Sequence, residues 1–204
     1  MVASVDRLFM SPTEYLAWEE EQPFKHEYLN GEVYAMTGGT LGHNQVAINL
    51  VAMLRTFFRG KGCRVFINDV KVQVSAKGPY FYPDLVVTCN SDDFRRSIGD
   101  PKAPLKLISY PQLIIEVLSP GTEGYDRGEK FKQYRQMPSL QEYIIIDPRQ
   151  IAIECYRLND RQKWELTPYF SEDIADPTMV EFPCIEFECS IAAIYEDVEF
   201  DTPA

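Results

Sequence analysis

Two carboxylates stand where this sequence makes a carboxylate costly. Asp84 follows Pro83 and precedes the apolar run Leu85-Val86-Val87, and Glu116 interrupts Leu113-Ile114-Ile115 and Val117-Leu118. A continuous apolar run is the pattern of a central strand covered on both faces. An ionised group inside it is strongly unfavourable unless it is paired, protonated or bound to a metal. A strand-end acid facing solvent, or an ordinary ion pair, would explain either residue alone. If the strands are neighbours, however, both carboxylates can reach one side, where they repel and a divalent cation relieves the repulsion. Mg²⁺, with Mn²⁺ as a substitute, suits such a pair, because it takes one or two carboxylates plus waters and phosphate oxygens. So placed, a metal acidifies a bound water and stabilises charge on a phosphodiester.

Other residues with chemistry to offer lie around this pair. Asp126, Lys130 and Tyr134 are spaced by four, so on a helix they share one face. His43 falls on the apolar face of a predicted helix, where a histidine is either structural or an auxiliary proton carrier or phosphate contact. Glu32 is a candidate third acidic metal contact, or a solvated hairpin acid. Asp69 and Lys71 are candidates for the edge of the site. Gly38-Gly39 lacks the remaining positions of a phosphate-cradling loop.

The elements that must position these groups follow from local signals. Ser11-Pro12-Thr13-Glu14 is a capping box opening a helix through about Glu21. Asn30-Gly31 predicts a hairpin between strands near Lys25–Leu29 and Glu32–Met36. Ala47, Leu50, Val51, Leu54 and Phe58 recur at helical spacing over residues 41–59, and Gly60 and Gly62 end that helix. Strands are expected at Cys63–Val74, Tyr82–Thr88, Leu113–Leu118 and Glu142–Asp147, with a polar loop from Asn90 to Tyr110 that exposes Arg95, Arg96, Lys102 and Lys106. Asp126-Arg127-Gly128-Glu129 repeats the capping-box pattern and predicts a helix to about Met137, stopped by Pro138. Ile151–Leu158 and Trp164–Phe170 pair around Asn159-Asp160, and the tail is expected to be irregular or lightly structured. This mixed order predicts an α/β sheet flanked by helices rather than a doubly wound one.

Composition sets the outer bounds. A chain of 204 residues, 45% hydrophobic and 25% charged, fits a single domain, 1–204, with a core of about 25–158 and an acidic extension of about 171–204. The net charge of −11 is concentrated late: no Lys or Arg follows Glu165, while acids recur from Glu172 to Asp201. The rest of the chain is close to neutral, so the total argues weakly against a nucleic-acid substrate. The five cysteines show no CxxC pair or zinc spacing and read as reduced, mostly buried thiols. Without a signal-like N-terminus or a long apolar run, the expected location is the cytoplasm, with no membrane partner.

The ordered set of residues carries a resemblance. Tyr82-Pro83-Asp84 followed by Glu116-Val117-Leu118 resembles the PD-(D/E)XK nuclease superfamily. The run Glu116-Val117-Leu118-Ser119-Pro120, with Asp126, Lys130, Tyr134 and Glu142-Tyr143, is similar more closely to the Uma-two family of endonucleases. The Glu27…Asn30-Gly31-Glu32 hairpin and His43 fit as well, so the likeness spans roughly residues 11 to 158. It implies a restriction-endonuclease-like mixed β-sheet core flanked by helices, with an N-terminal helix and hairpin and C-terminal β additions. It also implies a Mg²⁺-dependent cleavage of DNA, with Asp84, Glu116 and the Val117 backbone carbonyl as metal ligands. One position departs: the superfamily's Lys two residues after the acid is Leu118 here. Lys130, from the following helix, is the candidate replacement that would orient the attacking water, with Tyr134 supporting it and Lys132 as the fallback. A homodimer is expected by analogy with enzymes that cut duplexes. Two alternatives stay open: a nuclease-fold binding module without cleavage, and a metal-free hydrolase acting on sugars through carboxylates roughly 5 to 9 Å apart.

Overall fold

A computed structural model of the protein describes residues 9–36, 38–94, 107–170 and 178–200. Helix α1 (Pro12–Glu19) begins on the expected capping box: the Glu14 N–H donates to the Ser11 hydroxyl, and the Ser11 N–H donates to the Glu14 carboxylate. The hairpin follows as β1 (His26–Leu29) and β2 (Glu32–Ala35). Asn30 and Gly31 both take positive φ, the conformation that a two-residue turn with matched twist requires. Helix α2 (Leu41–Phe57) turns Val46, Ala47, Leu50 and Leu54 inward.

One stretch that looks like a single strand is broken and another begins later than expected, and at both points the chain passes between sheets. The predicted strand from Cys63 to Val74 is β3 (Arg64–Ile67) and β4 (Lys71–Gln73), separated by a turn in which Asn68 has φ 33°. Asparagine tolerates that left-handed conformation better than most residues. The predicted strand from Tyr82 to Thr88 is β6 (Leu85–Thr88), preceded by the separate short strand β5 (Tyr80–Phe81). Pro83 lies in the gap; it has no N–H to give a ladder, so the sheet ends there.

Of the polar stretch 90–110, Ser91–Asp93 form a 3₁₀ turn and Leu107–Ile108 form β7. Arg95, Arg96, Lys102 and Lys106 lie outside the described residues. Strand β8 (Leu113–Val117) is buried at every position. The helical segment after it starts earlier than its sequence signal: α3 (Glu123–Tyr125) runs into a π-helical turn, Asp126–Lys130, and then α4 (Phe131–Tyr134). Asp126 is therefore not an N-cap. Its own N–H already bonds to the Thr122 carbonyl at 2.9 Å, so its carboxylate is left for another use. Strands β9 (Glu142–Asp147), β10 (Ala152–Leu158) and β11 (Trp164–Phe170) fall where periodicity puts them.

The architecture is mixed α/β. A six-stranded sheet has the order β11-β10-β9-β8-β6-β3, and a five-stranded sheet has the order β2-β1-β5-β4-β7. β8 runs antiparallel to β6 and parallel to β9, at the middle of the larger sheet. Its alternate side chains serve two cores: Leu113, Ile115 and Val117 pack with α2, while Ile114 and Leu118 pack with Tyr134, Tyr143 and residues of the smaller sheet. Strand periodicity thus turns Glu116 toward the second core.

The tail, expected to be irregular or lightly structured, forms a short hairpin and a helical turn where it is described. β12 (Met179–Phe182) pairs with β13 (Phe187–Ser190), and α5 (Ile191–Ile194) follows. Val180, Phe182, Ile185, Ile191 and Ile194 complete the core beneath α2, which explains why apolar residues alternate with the tail's acids. The cysteines also depart from expectation. Cys63 and Cys89 form a disulfide, because the antiparallel β3–β6 register that pairs Arg64 with Thr88 sets the next two residues opposite each other. Cys155, Cys184 and Cys189 are free thiols. No described helix is long and apolar enough to cross a membrane.

The Tyr195 hydroxyl ties the tail to the sheet: it donates toward the carbonyls of Asp147 (3.0 Å) and Ala152 (3.1 Å) and accepts from the Ala152 N–H (3.1 Å). Tyr195→Phe keeps the ring and strands those buried main-chain groups, so we expect a loss of about 1–3 kcal/mol in urea denaturation. An unchanged midpoint would show that the C-terminal segment is not held in this way.

Candidate active site

Tertiary structure brings the candidate residues together at the seam between the two sheets. The β6–β8 register pairs Leu85 with Ile115, which puts Asp84 opposite Glu116. The Asp84 N–H points at Glu116 Oε2 (3.4 Å), and the Val117 N–H donates to Asp84 Oδ2 at 2.7 Å. Both carboxylates therefore meet at one point, as the strand argument requires. They line a cleft of about 450 Å³, together with Val117, His43, Asp126 and Lys130.

Lys130 is the centre of the arrangement. Its ammonium lies 3.0 Å from Glu27, 3.2 Å from Glu116 and 3.2 Å from Asp126. The Tyr134 hydroxyl, one turn along, is 3.3 Å from the same Glu116 oxygen that Lys130 meets. The predicted shared face of Asp126, Lys130 and Tyr134 is present and turned inward. Burial by itself would strip Lys130 of its proton, but Glu116, Glu27 and Asp126 outweigh it and hold the ammonium well above the usual lysine range. Glu116 is also shifted upward, but here burial is the cause: it raises the carboxyl well above the ordinary value, Lys130 opposes that, and Asp126, Asp84 and Glu27 add to it.

His43 enters from the first turn of α2. Its Nε2 is 3.2 Å from Asp84 Oδ2, and its ring also bonds to the Val117 backbone. Burial disfavours the imidazolium, yet the Asp84 hydrogen bond and charge raise His43 above the usual histidine value. Gly39 has a specific part in this placement, since a Cβ there would stand 2.8 Å from His43 Nδ1. Gly39 alone leaves this room, since a Cβ at Gly38 would meet nothing within 4 Å.

Other candidates are not brought in. Glu32 sits on β2 and accepts a hydrogen bond from Tyr34 (2.5 Å), outside the cleft lining. Asp69 is exposed and paired with Lys25, and Lys71 is buried against the Tyr82 ring. The hairpin contributes Glu27 instead, which is 5% exposed and also accepts the Tyr82 N–H at 3.0 Å. Sequence reasoning passed over Glu27 as a hairpin residue. Its signal was an acid flanked by aromatic and apolar neighbours on a strand whose partner is remote in sequence.

The donor set fits a hard divalent cation. The Asp84 and Glu116 carboxylates meet at the β6–β8 pairing, and the carboxylates of Glu27, Asp84, Glu116 and Asp126 outnumber the single ammonium among them. Among the described residues no cage of three or more His, Cys, Asp or Glu exists, so waters or substrate oxygens would have to complete any coordination.

A family model described as "Putative restriction endonuclease", Uma2, matches residues 12–190. The chain belongs to the Uma2 family. The uncharacterized protein slr1290 of Synechocystis sp. (strain ATCC 27184 / PCC 6803 / Kazusa) is 36% identical to it over 191 residues, covering 94% of each chain. A second protein of that organism, sll1609, is 32% identical over 174 residues, covering 85% of this chain and 94% of its own. Among solved structures, a "putative nuclease belonging to DUF820" from Anabaena variabilis ATCC 29413 superposes with a TM-score of 0.73 at 17% identity, covering 91% of this chain and 97% of that one. That likeness establishes the shared fold of this Uma2 chain over almost its whole length.

Replacing Lys130 by Met leaves buried carboxyls that must bind protons to stay inside. The folded Glu116 then keeps a proton that the unfolded chain releases above about pH 4.5, so stability falls as pH rises through that interval. We expect Lys130→Met to cost about 3–5 kcal/mol at pH 8 in urea denaturation, and clearly less at pH 5. An equal loss at both pH values would mean that the ammonium does not compensate these acids.

Proposed function

We propose that this Uma2 chain is a divalent-metal-dependent endonuclease that hydrolyses phosphodiester bonds of DNA. The observation that carries the reading is the meeting of Asp84 and Glu116 across the β6–β8 register, with the Lys130 ammonium 3.2 Å from Glu116. The family description and the wording attached to the Anabaena structure belong to similar proteins and support it.

Asp84, Glu116 and the Val117 carbonyl are the groups that would hold Mg²⁺. Such an ion supplies Lewis acidity to a phosphoryl oxygen and acidifies a water. The chain's own residues divide the remaining work. Lys130, kept as an ammonium by its carboxylate neighbours, is a donor rather than a base. From the floor of the cleft it orients a water and steadies negative charge on phosphoryl oxygens. Tyr134 fixes the Glu116 oxygen that Lys130 also meets. His43 holds a proton at Nε2 against Asp84 and can pass it to an oxygen leaving the cleft. Leu118, where the superfamily pattern has its lysine, packs into the second core, and Lys130 supplies the charge from the helix instead.

The test uses circular DNA, both supercoiled plasmid and single-stranded, with Mg²⁺ or Mn²⁺. Opening or nicking of the circles should cease with EDTA. Asp84→Asn and Glu116→Gln should each slow it by about 100-fold or more. Asp84→Asn is the cleaner variant, because Asp84 contributes less to the buried ion cluster than Glu116 does. Cleavage that persists in EDTA or in both variants would exclude this assignment, and its absence with both metals would favour a binding module.

A further inference from the structure

We infer that the DNA strand reaches this cleft unpaired, one nucleotide of a single strand occupying the space above Asp84 and Glu116. The inference rests on the nuclease reading and concerns the form of DNA accepted.

The reactive groups are recessed. The side chains of Glu116 and Lys130 are 3% and 7% exposed, and those of Asp84 and His43 are 13% and 14% exposed. A phosphate must descend to the floor of a cleft of about 450 Å³ to meet them, a volume on the scale of one small-molecule ligand. In an intact duplex the bases are held inward by pairing and stacking. A stiff duplex can offer only the phosphates on its outer face, whereas a single strand can bend its backbone down into the recess with no base pair to break.

The walls are built for a base. Tyr34 and Tyr125 line the cleft beside the buried Tyr82, whose ring is covered by Lys25 and Lys71, and Phe24 stands on its rim with 73% of its surface exposed. Aromatic side chains stack on any base, which gives sequence-tolerant binding of single strands. An exposed phenyl ring beside an open cleft has no packing role to explain it. The Tyr125 hydroxyl is buried in the wall, and among the described residues no group hydrogen-bonds it. It is a donor available to a base edge or a sugar oxygen.

The electrostatics point the same way. The cleft-lining Lys residues are Lys25, paired with Asp69, and Lys130, surrounded by three carboxylates. Duplex binders draw their affinity from neutralising many phosphates along a basic surface. Among the described residues this cleft has no such surface, a lack that weighs more on a duplex than on a single strand, which releases fewer counterions per phosphate.

The experiment is fluorescence anisotropy of the full chain with a labelled 12-nucleotide DNA strand and with the same sequence as a duplex, in Ca²⁺ so that binding is read apart from turnover. The single strand should bind at least about tenfold more tightly. Phe24→Ala should weaken single-strand binding by about tenfold without moving the thermal midpoint, since the ring is exposed. Tyr125→Phe, which keeps the ring, should weaken it by a smaller factor. Equal or tighter duplex binding, no binding of either form, or an unchanged affinity in Phe24→Ala would overturn the inference. Strand preference without cleavage of circular DNA would remove the nuclease reading and leave the nucleotide site. Cleavage with equal affinity for both forms would do the reverse.

Discussion

The buried ion cluster around Lys130 is the constraint on which the rest of the molecule depends. Its members come from three separate bodies: Glu27 from the smaller sheet, Glu116 from the middle of the larger sheet, and Asp126 with Lys130 from the helical segment. An ammonium or a carboxylate withdrawn from water is strongly unfavourable alone and tolerable only with its partners in place. Each element can therefore bury its charged residue only if the other two have docked. The same requirement that docks these three bodies assembles the candidate site, while the core beneath α2 packs on apolar contacts.

Around that cluster, breaks in regular structure do the positioning. Pro83 ends one strand and lets the chain pass from the smaller to the larger sheet, delivering Asp84 opposite Glu116 and turning the Tyr82 N–H toward Glu27. The π-helical turn at Asp126–Lys130 lies where the helical segment must aim two charged side chains at one cleft. Such turns recur at functional sites because one extra residue per turn reorients side chains without ending the helix. Gly39 lets the His43 ring lie against the backbone at the cleft edge. None of these features adds much stability. Together they decide where the candidate site sits.

Much of the site was legible beforehand. Glu116 announced itself by interrupting an apolar strand, and Lys130 by sharing a helical face with Asp126 and Tyr134. The hairpin turn, the N-terminal cap and the strands from Glu142 onward also followed from local patterns. The errors have local causes too. Apolar strand composition says nothing about which sheet a residue joins, so β3 and β4 looked continuous although Asn68 divides them, β5 went unread, and β6 starts at Leu85 rather than Tyr82. The tail's acids masked its apolar residues, although Val180, Phe182 and Ile191 are core. The Cys63–Cys89 link depends on strand register and could not be read from spacing.

By itself, then, the sequence determined that a charge would be buried at Glu116, that a helix would present Lys130 and Tyr134 together, and which elements would carry them. Periodicity and propensity act over a few residues, and those conclusions need no more. Only the tertiary structure decided which partners neutralise the buried charge: Glu27 rather than Glu32, Asp126 as an ion-pair member rather than a cap, and His43 against Asp84. Pairing of buried charges is a question of who is within about 3–4 Å after all elements have docked, and residues 27, 84, 116 and 130 meet only then.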